Sequence, residues 1–155
     1  MAEIVVVRQN SQFETEFLAA DTEAAEPAGQ ELKPVHAIHE LSPYGMLLAG
    51  LGACTAILLH SYAQNHGVKL EWVEMRLTYD RVFAKDCQQC EEIDQYTEQI
   101  KAEVGLVGKL SAAERNKLFL ISKHCPVHKI LHNGIQTEFV LAKTPDQAES
   151  AETPS

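Results

Sequence analysis

Positive charge is scarce in this sequence. Its 155 residues include 13 Lys and Arg against 22 Asp and Glu, which gives a formal net charge of −9 at pH 7. The basic residues form no run. Because phosphate backbones and anionic lipid surfaces are bound by clustered Lys and Arg, this composition argues against nucleic acid and against a membrane surface as partners.

Recognisable export and membrane segments are also lacking. The first residues, MAEIVVVRQNSQFETEF, contain no basic segment followed by a long apolar one, so we expect a cytoplasmic protein without a signal peptide. The one long apolar stretch without charge runs for 17 residues from Pro43 to Leu59, contains three glycines and lacks basic flanks. Since a membrane span needs about 17–25 such residues, we interpret this stretch as a buried core helix.

The pattern of apolar residues predicts one α+β domain over residues 1–141 and a disordered polar tail over residues 142–155. The strands, recognised by alternation and by bounding turns, are predicted over residues 3–10, 12–19, 32–38, 70–83, 93–107 and 135–142. The helices are predicted over residues 43–66 and over residues 112–125, where Ser111 and Glu114 form an S-x-x-E capping box, with a further turn or two over residues 126–133. We expect the helices to pack against antiparallel sheet.

Small residues are frequent in the first predicted helix, whose start is marked by Ser42 and Pro43. Gly45, Gly50 and Gly52 lie inside it, and each costs roughly 1 kcal/mol relative to Ala. A sequence that tolerates this cost must recover it through close packing, so we expect this helix to lie at the centre of the fold.

Cysteine is infrequent as well. Without an export signal, the four cysteines are expected to be catalytic, metal-bound or inert thiols rather than structural disulfides. Cys54, in the middle of the first helix, is either a small core residue or a reactive thiol that needs a cation from elsewhere in the fold. Cys125 precedes Pro126 at the N-cap of the restarted helix, where free N–H groups favour a thiolate. The alternative for Cys125 is a helix-end cysteine of no consequence.

The other two cysteines, Cys87 and Cys90, form a CQQC sequence in the connection between the two long strands. This spacing suits an auxiliary dithiol. It also suits half of a zinc site, which Cys125 and His128 could complete. A neutral loop feature is the third possibility.

Three stretches carry a family resemblance when they are taken together: SPYGMLLAGLGACTAILLHSYA, YDRVFAKDCQQCE and SKHCPVHKIL. They resemble the OsmC/Ohr family of osmotically inducible and organic-hydroperoxide-resistance proteins, and its OsmC-like branch in particular, over about residues 41–141. The specific part of the pattern is a cysteine on the first helix combined with C-P-x-H near the end of the second. The resemblance implies an intertwined homodimer in which antiparallel sheets wrap around two central helices, with two active sites at the subunit interface.

The resemblance also implies a chemistry. Cys54 would attack the O–O bond of an organic hydroperoxide and become a sulfenic acid. Cys125 would condense with it to a disulfide, which a dithiol or a lipoylated protein would reduce. No cofactor and no metal would be required. For an alkyl substrate we expect an apolar lining from Leu47, Leu51, Leu58 and Phe119.

This sequence departs from the family pattern around the thiolate. In the family an Arg–Glu pair holds the thiolate, and the glutamate follows the proline at the start of the first helix; here that position is Tyr44. The arginine could only be Arg8, because the next arginine is at position 76. Otherwise the charge would have to come from Lys33, His36 or His39.

A second function, from a different class, stays open at this point. The same scaffold could serve as a non-catalytic redox sensor or ligand-binding module, with metal binding through Cys87 and Cys90 as an option.

Overall fold

The computed structural model of the protein describes residues 3–20, 31–83 and 96–143. Its elements, in chain order, are β1 Glu3–Asn10, β2 Thr15–Ala20, β3 Leu32–Pro34, a 3₁₀ turn Ile38–Glu40, α1 Pro43–Asn65, β4 Leu70–Phe83, β5 Tyr96–Gly108, α2 Ala112–Ser122 and α3 Pro126–Asn133. The predicted mixed α+β architecture with an antiparallel sheet is confirmed.

The strands form one antiparallel sheet in the order β3-β2-β1-β4-β5. The longest pairing joins β4 to β5 and extends from Leu70 opposite Gly108 to Phe83 opposite Tyr96. The α1 helix packs across β1 and β4, at the middle of the sheet. The core between α1 and the sheet contains Val5, Val7, Leu48, Ala56, Leu59, Val73, Met75 and Leu77.

The ends of α1 agree with the prediction. Ser42 caps its start and accepts a hydrogen bond from the backbone N–H of Gly45 at 3.0 Å. The helix ends at Asn65, before Gly67, whose φ of 66° favours glycine. By length and composition alone α1 could cross a membrane, and half of its apolar window is buried inside the fold.

The glycines of α1 differ in what surrounds them. At Gly52 a Cβ atom would lie 2.7 Å from Leu77 Cδ1 and 2.7 Å from Val7 Cγ2, so the absence of a side chain lets α1 approach the sheet closely. At Gly50 a Cβ atom would meet nothing within 4 Å. The expectation of close packing at the glycines is therefore confirmed at Gly52, whereas Gly50 faces open space in this chain.

The second helical region is divided more sharply than the sequence indicated. α2 starts with the predicted capping box of Ser111 and Glu114, but it ends at Ser122 rather than at Cys125. Pro126 disfavours a helical conformation in the residue before it. Cys125 accordingly has a ψ of 130° and is the N-cap of a separate helix, α3.

Two strands near the N-terminus are shorter than predicted. β2 starts at Thr15 rather than at residue 12, because Phe13 has a φ of 63° in the turn that follows β1. β3 ends at Pro34 rather than at residue 38, and the chain then forms the 3₁₀ turn.

The predicted last strand, over residues 135–142, is wrong. The structure describes these residues and gives them no regular secondary structure. Phe139 and Leu141 are 96% and 97% exposed. Alternation of apolar and polar residues is typical of a strand, but a strand also needs a partner edge, and none of the described strands of this chain pairs with the segment.

Candidate active site: two neighbouring thiols

The two cysteines that the sequence singles out, Cys54 and Cys125, lie next to each other. Cys54 is in the middle of α1, and Cys125 is at the junction of α2 and α3, which both pack against α1. Both are free cysteines; Cys125 is completely buried and Cys54 is partly exposed. Their side chains form a hydrogen bond in which the Cys54 thiol donates to the Cys125 sulfur. The fold therefore brings two thiols that are distant in sequence into contact.

Cys125 is the sulfur that carries negative charge more readily. Its burial raises the pKa, but hydrogen bonds lower it by more, so the pKa of Cys125 lies below its ordinary value. The hydrogen-bond partners that lower the pKa are Cys54, the Thr55 hydroxyl and the backbone N–H groups of His128 and Val127. The two N–H groups belong to the first turn of α3, whose dipole also favours an anion. This direction agrees with the prediction for a cysteine at a helix N-cap.

Cys54 is shifted in the opposite direction. Burial and the neighbouring Cys125 raise the pKa of Cys54, and the backbone N–H of Val127 offsets this only in part. The two thiols titrate as a pair. When the pair loses one proton, the charge resides on Cys125, and Cys54 is its hydrogen-bond donor.

Thr55 completes the surroundings of the Cys125 sulfur. It is buried, its hydroxyl donates to the Leu51 carbonyl oxygen at 2.9 Å, and it also forms a side-chain hydrogen bond with Cys125. Thr55 is not among the site residues predicted from the sequence. The signal that could have found it is a hydroxyl group on an otherwise apolar helix, directly after Cys54.

A family model described as OsmC-like protein matches residues 36–140, which is more than half of the chain and includes both thiols. The chain belongs to the OsmC-like protein family. This confirms the resemblance that the three sequence stretches suggested. No curated protein matches the chain significantly.

Solved structures similar to this OsmC-like chain come from several bacteria. An OsmC-like hydroperoxide resistance protein from Jannaschia sp. CCS1 is 16% identical, with 94% of this chain and 95% of that chain covered and a TM-score of 0.53. An OsmC-like protein from Mycoplasma pneumoniae is 17% identical, with 86% and 89% covered and a TM-score of 0.45. At 16% identity, the similarity to the Jannaschia protein shows a shared fold.

The fold of this OsmC-like chain does not bring Arg8 to the thiols. Arg8 forms an ion pair with Glu74 on the adjacent strand β4, with 3.4 Å between Nη2 and Oε1. Val5 and Val7, which alternate with Arg8 along β1, pack in the core against α1. Because successive side chains of a strand point to opposite faces, Arg8 lies on the face of the sheet away from Cys54.

The other expected sources of positive charge also lie elsewhere. Lys33, His36 and His39 are exposed on β3 and in the segment that follows it. Lys123, two residues before Cys125, holds its ammonium group over the Phe119 ring, 4.9 Å from the centroid. Within the described ranges, no cationic side chain shifts the pKa of either thiol.

Tyr44 and His128 have separate surroundings. Tyr44, in the position where the family carries glutamate, stacks on Tyr79 with 4.5 Å between ring centroids. His128 contributes its backbone N–H to the Cys125 sulfur, while its exposed imidazole stacks on His132 with 6.0 Å between centroids.

The predicted roles of Cys87 and Cys90 lie outside the described residues. In the part of the chain that the structure describes, no group of three or more His, Cys, Asp or Glu side chains is placed to hold a metal ion. The possible zinc site that combined Cys87 and Cys90 with Cys125 and His128 therefore stays a prediction.

Proposed function

We propose that this protein is a thiol-dependent peroxidase that reduces organic hydroperoxides through a Cys54 sulfenic acid and a Cys54–Cys125 disulfide. The Cys54 sulfur attacks one oxygen of the O–O bond, the bond breaks, the alcohol leaves with a proton, and Cys54 becomes S–OH. The Cys125 thiolate then attacks the Cys54 sulfur, the S–S bond forms and the S–O bond breaks; the departing hydroxide takes a proton from solvent and becomes water. The observation that carries the proposal is the direct contact of the two thiols.

Cys54 is the more exposed of the two sulfurs, whereas Cys125 carries negative charge more readily. Because the peroxide must reach the sulfur, the more exposed Cys54 is the one that attacks it. Cys54 is partly exposed, whereas Cys125 is completely buried and has no room for a substrate. The hydrogen bond between them supplies the required charge, because transfer of the Cys54 proton to Cys125 makes the Cys54 thiolate. When this proton has passed on to the departing alcohol, Cys125 is again a thiolate and can form the disulfide with Cys54.

The surroundings of Cys54 on α1 favour an apolar hydroperoxide. Leu47 and Leu58 lie seven residues before and four residues after Cys54, on the same face of the helix. Leu47 is exposed and Leu58 is half-buried, and Phe119 of α2 is exposed as well. Leu51, the fourth residue expected in this lining, is instead buried in the core.

A second copy of the chain is the proposed partner at this site. Contiguous exposed apolar surface usually marks an interface. The exposed apolar residues include Leu47, Ile57, Phe119, Leu120, Ile130, Leu131, Phe139 and Leu141. An intertwined homodimer would cover these residues and could bring to Cys54 a cation that the described residues of one copy do not supply. A single mass equal to one chain in sedimentation equilibrium, at micromolar concentration, would contradict the homodimer.

A dithiol or a lipoylated protein is the proposed reductant, and the cytoplasm is the proposed location. A partner that presents a nucleophilic thiol would open the disulfide again by exchange, since both Cys54 and Cys125 are consumed in making it. A reducing compartment would maintain such a partner.

The test follows the two sulfurs directly. Reduced, tag-free protein is mixed with one equivalent of cumene hydroperoxide, the remaining thiols are alkylated, and the peptides are mapped by mass spectrometry. We expect a Cys54–Cys125 disulfide. Cys125→Ser should stop at a Cys54 sulfenic acid that dimedone traps. The matched control, Cys87→Ser with Cys90→Ser, should still form the disulfide; both thiols unmodified after stoichiometric peroxide would end the proposal.

A non-catalytic redox sensor is the second candidate, and one observation favours it. Among the described residues no cation stabilises a Cys54 thiolate, and the pKa of Cys54 is raised. Steady-state turnover of cumene hydroperoxide with dihydrolipoamide separates the two functions. Turnover that is lost in Cys54→Ser supports the peroxidase, and negligible turnover in both proteins supports the sensor.

A further inference from the structure

The Thr55 hydroxyl has one hydrogen and two possible acceptors. In the structure it donates to the Leu51 carbonyl oxygen at 2.9 Å, and the Cys125 sulfur is its second hydrogen-bond partner. The Leu51 carbonyl does not depend on this hydroxyl, because in an α-helix it also accepts the backbone N–H four residues later. The hydroxyl can therefore turn to the sulfur without leaving a buried carbonyl unpaired.

We propose that Thr55 is a positioning residue for the redox pair: its hydroxyl turns from the Leu51 carbonyl to the Cys125 sulfur whenever that sulfur becomes a thiolate. In this way Thr55 stabilises Cys125 as the sulfur that leaves when the disulfide opens. The inference rests on the proposed function, which forms the disulfide, and adds the residue that stabilises the leaving sulfur.

The direction of opening follows from burial. A thiolate of the reducing dithiol can reach Cys54, which is partly exposed, and is excluded from Cys125, which is completely buried. Its attack forms a new S–S bond to Cys54 and breaks the Cys54–Cys125 bond, and the electron pair of the broken bond stays on Cys125 as a thiolate. The second thiol of the reductant then attacks the mixed disulfide, which releases Cys54 and an oxidised reductant.

The leaving sulfur needs local stabilisation, because no charged side chain among the described residues lowers the pKa of Cys125. From α1, the titratable side chain that faces Cys125 is Cys54; α3 contributes backbone N–H groups, and Lys123 at the end of α2 is directed to Phe119. A hydrogen bond to an anion is stronger than one to a carbonyl. The Thr55 hydroxyl is thus one of few groups that can respond to the charge, and a better stabilised thiolate leaves faster.

The first test removes the hydroxyl and keeps the shape. In a Cys87→Ser, Cys90→Ser background, the ultraviolet absorbance of the thiolate is followed against pH in reduced protein. Thr55→Val should move the first titration midpoint of the thiol pair to higher pH, and Thr55→Ser should restore it. A midpoint that is the same with Val, Ser and Thr would overturn the proposal.

Two controls separate this role from a structural one. Thr78→Val makes the same change on β4, away from the thiols, and should leave the midpoint unchanged. Thr55→Ala provides a second variant without the hydroxyl, should Thr55→Val fail to fold as judged by circular dichroism. Either hydroxyl-free variant with a wild-type midpoint contradicts the proposal.

The second test follows the opening of the disulfide. Protein oxidised by a disulfide exchange reagent, without peroxide, is mixed with glutathione; after set intervals the reaction is quenched with excess N-ethylmaleimide under denaturing conditions, and the peptides are mapped. Glutathione should be found on Cys54 and the maleimide on Cys125, and exchange in Thr55→Val should be about three- to tenfold slower. Glutathione on Cys125 or an unchanged rate would overturn the inference. This experiment uses no peroxide, so a negative result in it does not affect the peroxidase test. A negative result in the peroxidase test likewise leaves the exchange measurements interpretable.

Discussion

Gly52→Ala should destabilise the protein, because it inserts a methyl group where α1 approaches the sheet. The new Cβ atom would lie 2.7 Å from Leu77 Cδ1 and 2.7 Å from Val7 Cγ2, closer than carbon atoms pack. The Leu77 methyl group can rotate away. Val7 cannot do so as easily, since its branched side chain sits on a central strand with its Cβ atom only 3.2 Å from the new group.

The expected size follows from two opposing effects. Overpacking a core site costs about 1–3 kcal/mol, and replacing a helical Gly by Ala returns about 1 kcal/mol. The net loss is therefore about 1 kcal/mol in the free energy of unfolding, which lowers the Tm of a chain of this length by about 2–4 °C. At Gly50, where a Cβ atom meets nothing within 4 Å, the helix gain stands alone, and Gly50→Ala should raise the Tm by a similar amount.

Thermal unfolding of both variants beside the wild type, at equal chain concentration, measures this difference. Gly50→Ala is the matched control, because it makes the same change on the same helix half a turn away. A second copy packed on Gly50 would reduce the control's gain but would not affect the loss at Gly52. Gly52→Ala with a Tm at or above the wild type would refute the reasoning, since α1 could not then lie as close to the sheet as the structure has it.

Three further perturbations probe other parts of the structure. Burial holds the pKa of His60 below its ordinary value of 6.5, so neutral His60 contributes stability above pH 6.5 that should be lost as the pH falls through the folded-state pKa. His60→Gln should flatten this part of a plot of Tm against pH. Parallel plots for the variant and the wild type would contradict the assignment. Ser111→Ala removes a cap that Glu114 reciprocates and should cost about 1 kcal/mol in urea unfolding; no loss would mean that α2 does not need its cap. Tyr44→Ala removes the stack on Tyr79 and should cost at least about 0.5–1.5 kcal/mol; a change in its thiolate titration would show that Tyr44 also acts on the thiols.

Local signals in the sequence predicted the starts of the helices well. Ser42 with Pro43, Ser111 with Glu114, and Pro126 each act through their own backbone neighbours, so their effect does not depend on the rest of the fold. The segment over residues 135–142 shows the opposite case. Its alternating pattern is compatible with a strand, but strand formation requires an edge to pair with, and the sequence of one chain does not show whether such an edge is near.

The candidate site divides in the same way between local and tertiary causes. Only part of the lower pKa of Cys125 could be inferred from the sequence: the backbone N–H groups of the first turn of α3 follow directly after the cysteine, but the hydrogen bonds from Cys54 and Thr55 lower the pKa more. Three other features of the site depend on how α1 packs against α2 and α3. They are the contact of Cys125 with Cys54, the burial that leaves Cys54 the more accessible of the two sulfurs, and the position of the Thr55 hydroxyl. A reactive sulfur and a good leaving sulfur need different surroundings, one open to solvent and one rich in buried donors. The end of α2 and the start of α3 pack onto the middle of α1. This packing places the two kinds of surroundings next to each other, on the two sides of the hydrogen bond between Cys54 and Cys125.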